Sequence, residues 1–202
     1  MRSADAVTIA RIALVFVIGY MIIAKYNAVA VVLLMLIMFA MDNLDGYLAT
    51  SKRPSIFDFV SYIGRELHGG RSKVKAANAS RYGAYLDIAG DRITEYTFWI
   101  IFTYLGVLPL FVVLVIVTRN SISDAFTAST GKTFSKMKTA FGSIASSHIS
   151  RGLYGALKAI NFIYLSLVVL SNWPISVGYA LTAVVVAYSL LRGAAEVHEA
   201  LI

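Results

Sequence analysis

The chain contains no cysteine among its 202 residues, so disulfides and thiol chemistry are excluded. It has only three prolines, and charged residues make up 14% of it against 58% hydrophobic ones. A soluble domain clothes its core with more polar surface than this. With a mean hydropathy of +0.73, the composition is that of an integral membrane protein.

What is present is a series of long apolar runs. Segments able to cross about 30 Å of hydrocarbon are expected near residues 4–24, 27–49, 84–105, 107–127, 147–171 and 174–195. They show no period-two alternation and are too long for barrel strands, which excludes a transmembrane β-barrel. The expected fold is all-α, one membrane domain over residues 1–202 with six transmembrane helices. The first run carries Asp5 and Arg11 and does not end in a cleavage site, so it reads as a span, not a signal peptide.

The net charge of +7 follows the loops. Lys52, Arg53, Arg65, Arg71, Lys73, Lys75 and Arg81 lie between the second and third spans, and Lys132, Lys136 and Lys138 between the fourth and fifth. This places those loops, and with them both termini, in the cytoplasm of a multi-pass cell-membrane protein. It also gives the basic residues a lipid surface to meet, without nucleic acid. Residues 50–82, broken by Pro54 and Gly69-Gly70, read as a basic extramembrane insertion, and its IFDFVSYIGRELH stretch reads either as a surface amphipathic helix or as a solvated connector.

Two spans carry carboxylates where apolar residues belong. Asp42 and Asp45 close the second apolar run, in DNLDGYLA, and Asp87 and Asp91 open the third, in GAYLDIAGD. At spacings of three and four, each pair lies on one helix face, and the loop assignment puts both pairs at one depth near the cytoplasm. Charged side chains in a bilayer usually face a polar interior, here a cavity on the cytoplasmic side. Four clustered carboxylates repel one another unless cations balance them, and hard oxygen donors without His or Cys suit Mg²⁺ or Mn²⁺. A pair of such ions is the economical arrangement. The plainer alternative has each aspartate pairing with a neighbour such as Arg92 or Lys52. Gly46 and Gly83 flank the pairs and leave room for a ligand, or for another helix.

These residues resemble the signature of the CDP-alcohol phosphatidyltransferases, Asp-x-x-Asp-Gly-x-x-Ala-Arg followed by Gly-x-x-x-Asp-x-x-x-Asp. Seven of its eight fixed positions are matched, by Asp42, Asp45, Gly46, Ala49, Gly83, Asp87 and Asp91. The opening DAVTIAR is similar to the family's Thr-x-x-Arg start, and SKMKTA (135–140) to its Gly-Lys-x-Lys-Thr segment. The resemblance implies a transferase that displaces CMP from a CDP-linked lipid by attack of a small alcohol. It implies Mg²⁺ or Mn²⁺, two per site, on Asp42, Asp45, Asp87 and Asp91, with Asp91 also the base. It further implies the CDP moiety close to Gly46, Ala49 and Gly83, and a homodimer. Gly106, Gly178 and Gly193 could serve such an interface or packing within one protomer.

The chain departs from the pattern in two places: Thr50 stands where the family has arginine, and residues 51–82 separate the half-signatures much more widely than is usual. Lys52, Arg53 or Arg81 could supply the absent cation. Arg119, Lys136, Lys138 and Arg151, near the cytoplasmic ends of the fourth and fifth spans, are positioned to grip a phosphorylated acceptor such as glycerol phosphate or inositol phosphate, or to anchor to lipid headgroups. The rival reading from another class is a transporter or ion pathway built on the same intramembrane carboxylates.

Overall fold

The computed structural model describes residues 3–50, 83–130 and 148–201, and among the described residues every regular element is an α-helix. In chain order these are α1 (Ser3–Ile23), α2 (Ala28–Thr50), α3 (Gly83–Tyr104), α4 (Leu110–Thr130), α5 (His148–Ser171) and α6 (Ile175–Leu201). Beyond Thr50, the basic insertion lies outside the described residues, as do Lys136 and Lys138.

The helices stand where the apolar runs predict them, with local chemistry setting their ends. Asn27 caps α2, its side-chain Oδ1 accepting from the backbone N–H of Val29 at 2.9 Å and of Ala30 at 3.2 Å. The fourth helix starts three residues later than its apolar run, after Pro109, whose carbonyl accepts the first helical bond from Val112 N–H at 3.1 Å. The sixth continues to Leu201, past its apolar run, through a last stretch whose polar residues Arg192, Glu196 and Glu199 are buried.

The distribution of side chains is inverted relative to a water-soluble protein. α1 exposes Ile9, Phe16, Val17, Tyr20 and Ile23 while burying Asp5, Thr8 and Arg11. Lipid accepts the first set, and only protein accepts the second. Three helical segments, Asp5–Ile23, Gly152–Ser171 and Ile175–Glu199, are long and apolar enough to cross a membrane, and α2 contains a shorter apolar stretch, Ala28–Met41. Exposed Tyr20 and Tyr26 flank the α1–α2 turn, and exposed Trp173 and Tyr179 flank the α5–α6 turn, the amphipathic aromatics typical of a membrane interface.

The chain forms two compact units, Met1–Ile101 with Val169–Asn172, and Phe102–Val168 with Trp173–Ile202. In the first, α1 and α2 form a hairpin across a turn of a few residues and pack along each other. Their buried residues recur every three or four positions: Asp5, Thr8, Arg11, Val15, Ile18 and Ile22 on α1, and Val31, Met35 and Met38 on α2. α3 runs parallel to α1, since Gly90 lies against Thr8 and Arg11 while Gly19 lies against Thr97 and Ile101.

In the second unit α4 packs along α6. Tyr164 fixes the α5–α6 turn: its ring meets Trp173 edge-on at 5.3 Å, and its hydroxyl donates to the Pro174 carbonyl at 3.0 Å. Gly178 and Gly193 are both used inside this unit, the first against Tyr164 and Leu165 and the second against Arg119.

Candidate active site

The first unit gathers the signature at one end by topology. Arg11 lies twelve residues before the end of α1, and Asp42 and Asp45 lie fourteen and seventeen after the start of α2. At about 1.5 Å rise per residue, Arg11 is roughly 18 Å from the hairpin turn, Asp42 about 21 Å and Asp45 about 25 Å. In spacing, Asp42, Asp45 and Ala49 continue the three-four series of Val31, Met35 and Met38 along an unbroken helix. The side chains of α2 beyond Met41 lie outside the described residues.

Across from this end, α3 presents its two aspartates to α1. Arg11 Nη2 lies 3.1 Å from Asp91 Oδ1 and 3.8 Å from Asp87 Oδ1. The guanidinium is 2% exposed, whereas the two carboxylates are 53% and 56% exposed. The carboxylates therefore turn one side to a buried cation and the other outward. Gly90 makes the approach possible: a Cβ there would sit 2.8 Å from Arg11 Nη2 and 3.1 Å from Thr8 Cγ2. The sequence reading missed Gly90 because the signature leaves its position open, and it gave Arg11 no partner. Of the neighbours suggested for the aspartates, Arg92 places Nη1 3.7 Å from Glu95 Oε2, and Lys52 lies outside the described residues.

Among the described residues, no three His, Asp or Glu side chains converge closely enough to hold an ion. Asp87 and Asp91 supply half of the expected set, and their chemistry fits a hard divalent cation: two outward-turned carboxylates one helical turn apart. Gly83, half-buried, starts α3 one turn before Asp87.

The second unit holds its own polar cluster. Arg119 Nε donates to the Ser189 carbonyl, Nη1 to Asn120 Oδ1 and Nη2 to Glu196 Oε1, each at 2.9 Å. Its stem runs over Gly193, where a Cβ would come within 2.6 Å of Nε. Tyr154 carries two cations against its ring, Lys158 Nζ at 4.7 Å and the Arg192 guanidinium at 5.0 Å. The Tyr188 hydroxyl meets Ser150 Oγ at 2.8 Å. Of the four cations expected to grip an acceptor, Arg119 is thus engaged by three groups of its own unit. Arg151 stands in α5 with its side chain outside the described residues. Lys158, Arg192 and Glu196, all missed by the sequence reading, lie in α5 and α6, the first two within apolar runs and Glu196 just past one, without forming a recognisable motif.

A family model, CDP-alcohol phosphatidyltransferase, matches residues 1–65. The matched segment, about a third of the chain, contains Thr8, Arg11, Asp42, Asp45, Gly46 and Ala49, which supports the resemblance to that family. No curated protein and no solved structure matches the chain. The second half-signature lies beyond the family match, and Arg11, within the match, is the residue that faces it.

Proposed function

We propose that the chain transfers a phosphatidyl group, or its ether-lipid equivalent, from a CDP-linked lipid to a small polyol phosphate such as glycerol 3-phosphate or inositol phosphate, releasing CMP at the cytoplasmic face. The observation that carries this reading is the pairing of Arg11 with Asp87 and Asp91. It joins the family-matched segment to the second half of the signature across residues 51–82, as a single site requires.

In this reading Asp42, Asp45, Asp87 and Asp91 hold two Mg²⁺ or Mn²⁺ ions, which supply charge neutralisation for the diphosphate and its leaving group. Gly46, Ala49 and Gly83, having little or no side chain, let the CDP moiety lie against α2 and α3. Asp91 accepts the proton of the acceptor hydroxyl as its oxygen bonds to the lipid-side phosphorus. The anhydride P–O bond breaks, and CMP leaves with the electron pair. Lys136, Lys138 and Arg151 bind the acceptor phosphate, with Arg119 either joining them or bracing α4 against α6. Six membrane-spanning helices, with both termini cytoplasmic, and a homodimer complete the proposed assembly.

A transporter built on these carboxylates would need ionisable groups along a route between the two faces. Among the described residues of the first unit the buried ionisable groups are Asp5 and Arg11, in the first half of α1, and Glu95, mid-way along α3, while the buried positions of α1 beyond Arg11, Val15, Ile18 and Ile22, are apolar. Purified protein given CDP-diacylglycerol or its ether-lipid counterpart, Mn²⁺ and a panel of glycerol 3-phosphate, inositol phosphate, free inositol and serine should release CMP with one of the phosphorylated acceptors. No CMP with any acceptor would end the transferase reading.

A further inference from the structure

We infer that Arg11 is a positioning residue that makes the Asp87–Asp91 pair take up a divalent cation together with an anionic ligand, and only weakly before it. The inference rests on the reading of these two aspartates as metal ligands and adds a control to it. Arg11 projects from the buried stripe of α1, and its Nη2 lies 3.1 Å and 3.8 Å from one oxygen of each carboxylate. A guanidinium cannot lose its proton, and one buried to 2% exposure is costly without carboxylates beside it. Arg11 therefore holds the pair in place in the resting protein.

The same contact works against a second cation. Like charges a few ångströms apart near a protein surface repel, so the fixed positive charge of Arg11 offsets part of the attraction the two carboxylates exert on an incoming ion. An anionic diphosphate reverses this, because its oxygens can be shared by a guanidinium and a divalent cation. Binding of the ion and of the diphosphate is then coupled, and the coupling is reciprocal. Gly90 sets how closely Arg11 approaches, since a Cβ there would stand 2.8 Å from Nη2, the far and movable end of the side chain.

The test is Mn²⁺ titration of the full-length chain in detergent, read by the spin-resonance signal of free Mn²⁺, with and without CDP-diacylglycerol and with no acceptor alcohol. Without the CDP-lipid, Arg11→Met should bind Mn²⁺ about tenfold more tightly than wild type, and Arg11→Lys should stay close to wild type. With the CDP-lipid present, wild type should gain more affinity than Arg11→Met, closing most of that gap. Gly90→Ala, which displaces the guanidinium and keeps its charge, should shift Mn²⁺ affinity in the same direction, and it carries the test if Arg11→Met does not fold. Equal Mn²⁺ affinity in wild type and the tested variant without CDP-lipid would overturn the role of Arg11 and leave the metal site standing. No Mn²⁺ binding by any protein, even with CDP-lipid, would overturn both.

Discussion

Arg11 on α1 and Asp91 on α3 face each other at 3.1 Å, although eighty positions separate them in the chain. A charge that α1 has to bury and a carboxylate that opens α3 answer each other's cost, and in doing so they bring the opening Thr-x-x-Arg segment to the second carboxylate pair. Parallel α1 and α3, with α2 returning between them in sequence, are what put these groups at one end of the unit.

Asp91→Asn should lower CMP release by at least about a hundredfold, the lower end of what a positioned general base contributes. CDP-lipid binding should survive, because three of the four proposed metal ligands remain. Turnover is followed by CMP release and binding by equilibrium titration with labelled CDP-lipid. Wild-type turnover in this variant would remove Asp91 from the chemistry.

Gly90→Ala tests the geometry without touching a charge. The added methyl meets Arg11 Nη2 and Thr8 Cγ2, and overfilling a packed contact costs about 1–3 kcal/mol, less where a flexible end gives way. A lowered midpoint of thermal unfolding in metal-free detergent solution is expected. A raised midpoint would mean that α1 and α3 do not approach here as described.

The positions of all six helices were legible in the apolar runs, and three of them, Asp5–Ile23, Gly152–Ser171 and Ile175–Glu199, are long and apolar enough to cross a membrane. Pro109 shifted one helix start because its ring keeps the residue before it out of the helical conformation, and Glu196 and Glu199 in the last turns of α6 fell outside any apolar run. The aspartates were legible for the opposite reason, as charges that a lipid-facing helix does not tolerate. Their partner was not. Arg11 was visible as a charge within the first apolar run and as part of a motif, and its meeting with Asp87 and Asp91 depends on α1 and α3 running parallel, which no local pattern reports. The Arg119–Glu196 pair was hidden likewise, since seventy-seven positions separate its members.

That pair should behave as a buried clamp. Arg119 and Glu196 side chains are 8% and 2% exposed, so removing one partner strands a buried charge, at a cost of about 3–5 kcal/mol. Arg119→Met and Glu196→Gln should each destabilise strongly, and the double variant should lose less than their sum. Additive losses in the double-variant cycle would show that the two groups do not depend on each other. Gly193→Ala, which drives a methyl into the Arg119 stem, should reproduce part of the same loss.

The acceptor pocket is tested by separating kinetics from stability. Arg119 already serves Ser189, Asn120 and Glu196, whereas Arg151 stands in the first turn of α5, on the loop side that carries Lys136 and Lys138 in the sequence. A charge-assisted bond to a phosphate contributes roughly 1.5–3 kcal/mol, so Arg151→Ala should raise the acceptor KM by about tenfold to a hundredfold and leave the CDP-lipid KM nearly unchanged. Arg119→Ala should instead lower the unfolding midpoint, with an acceptor KM in the surviving protein close to wild type if its role is bracing and raised like that of Arg151→Ala if it also holds the phosphate. Headgroup anchoring predicts a third pattern, in which Arg151→Ala reduces yield from the membrane and alters no kinetic constant. Measurements in detergent at constant lipid distinguish these outcomes, and equal losses with phosphorylated and unphosphorylated acceptors would rule out a phosphate clamp.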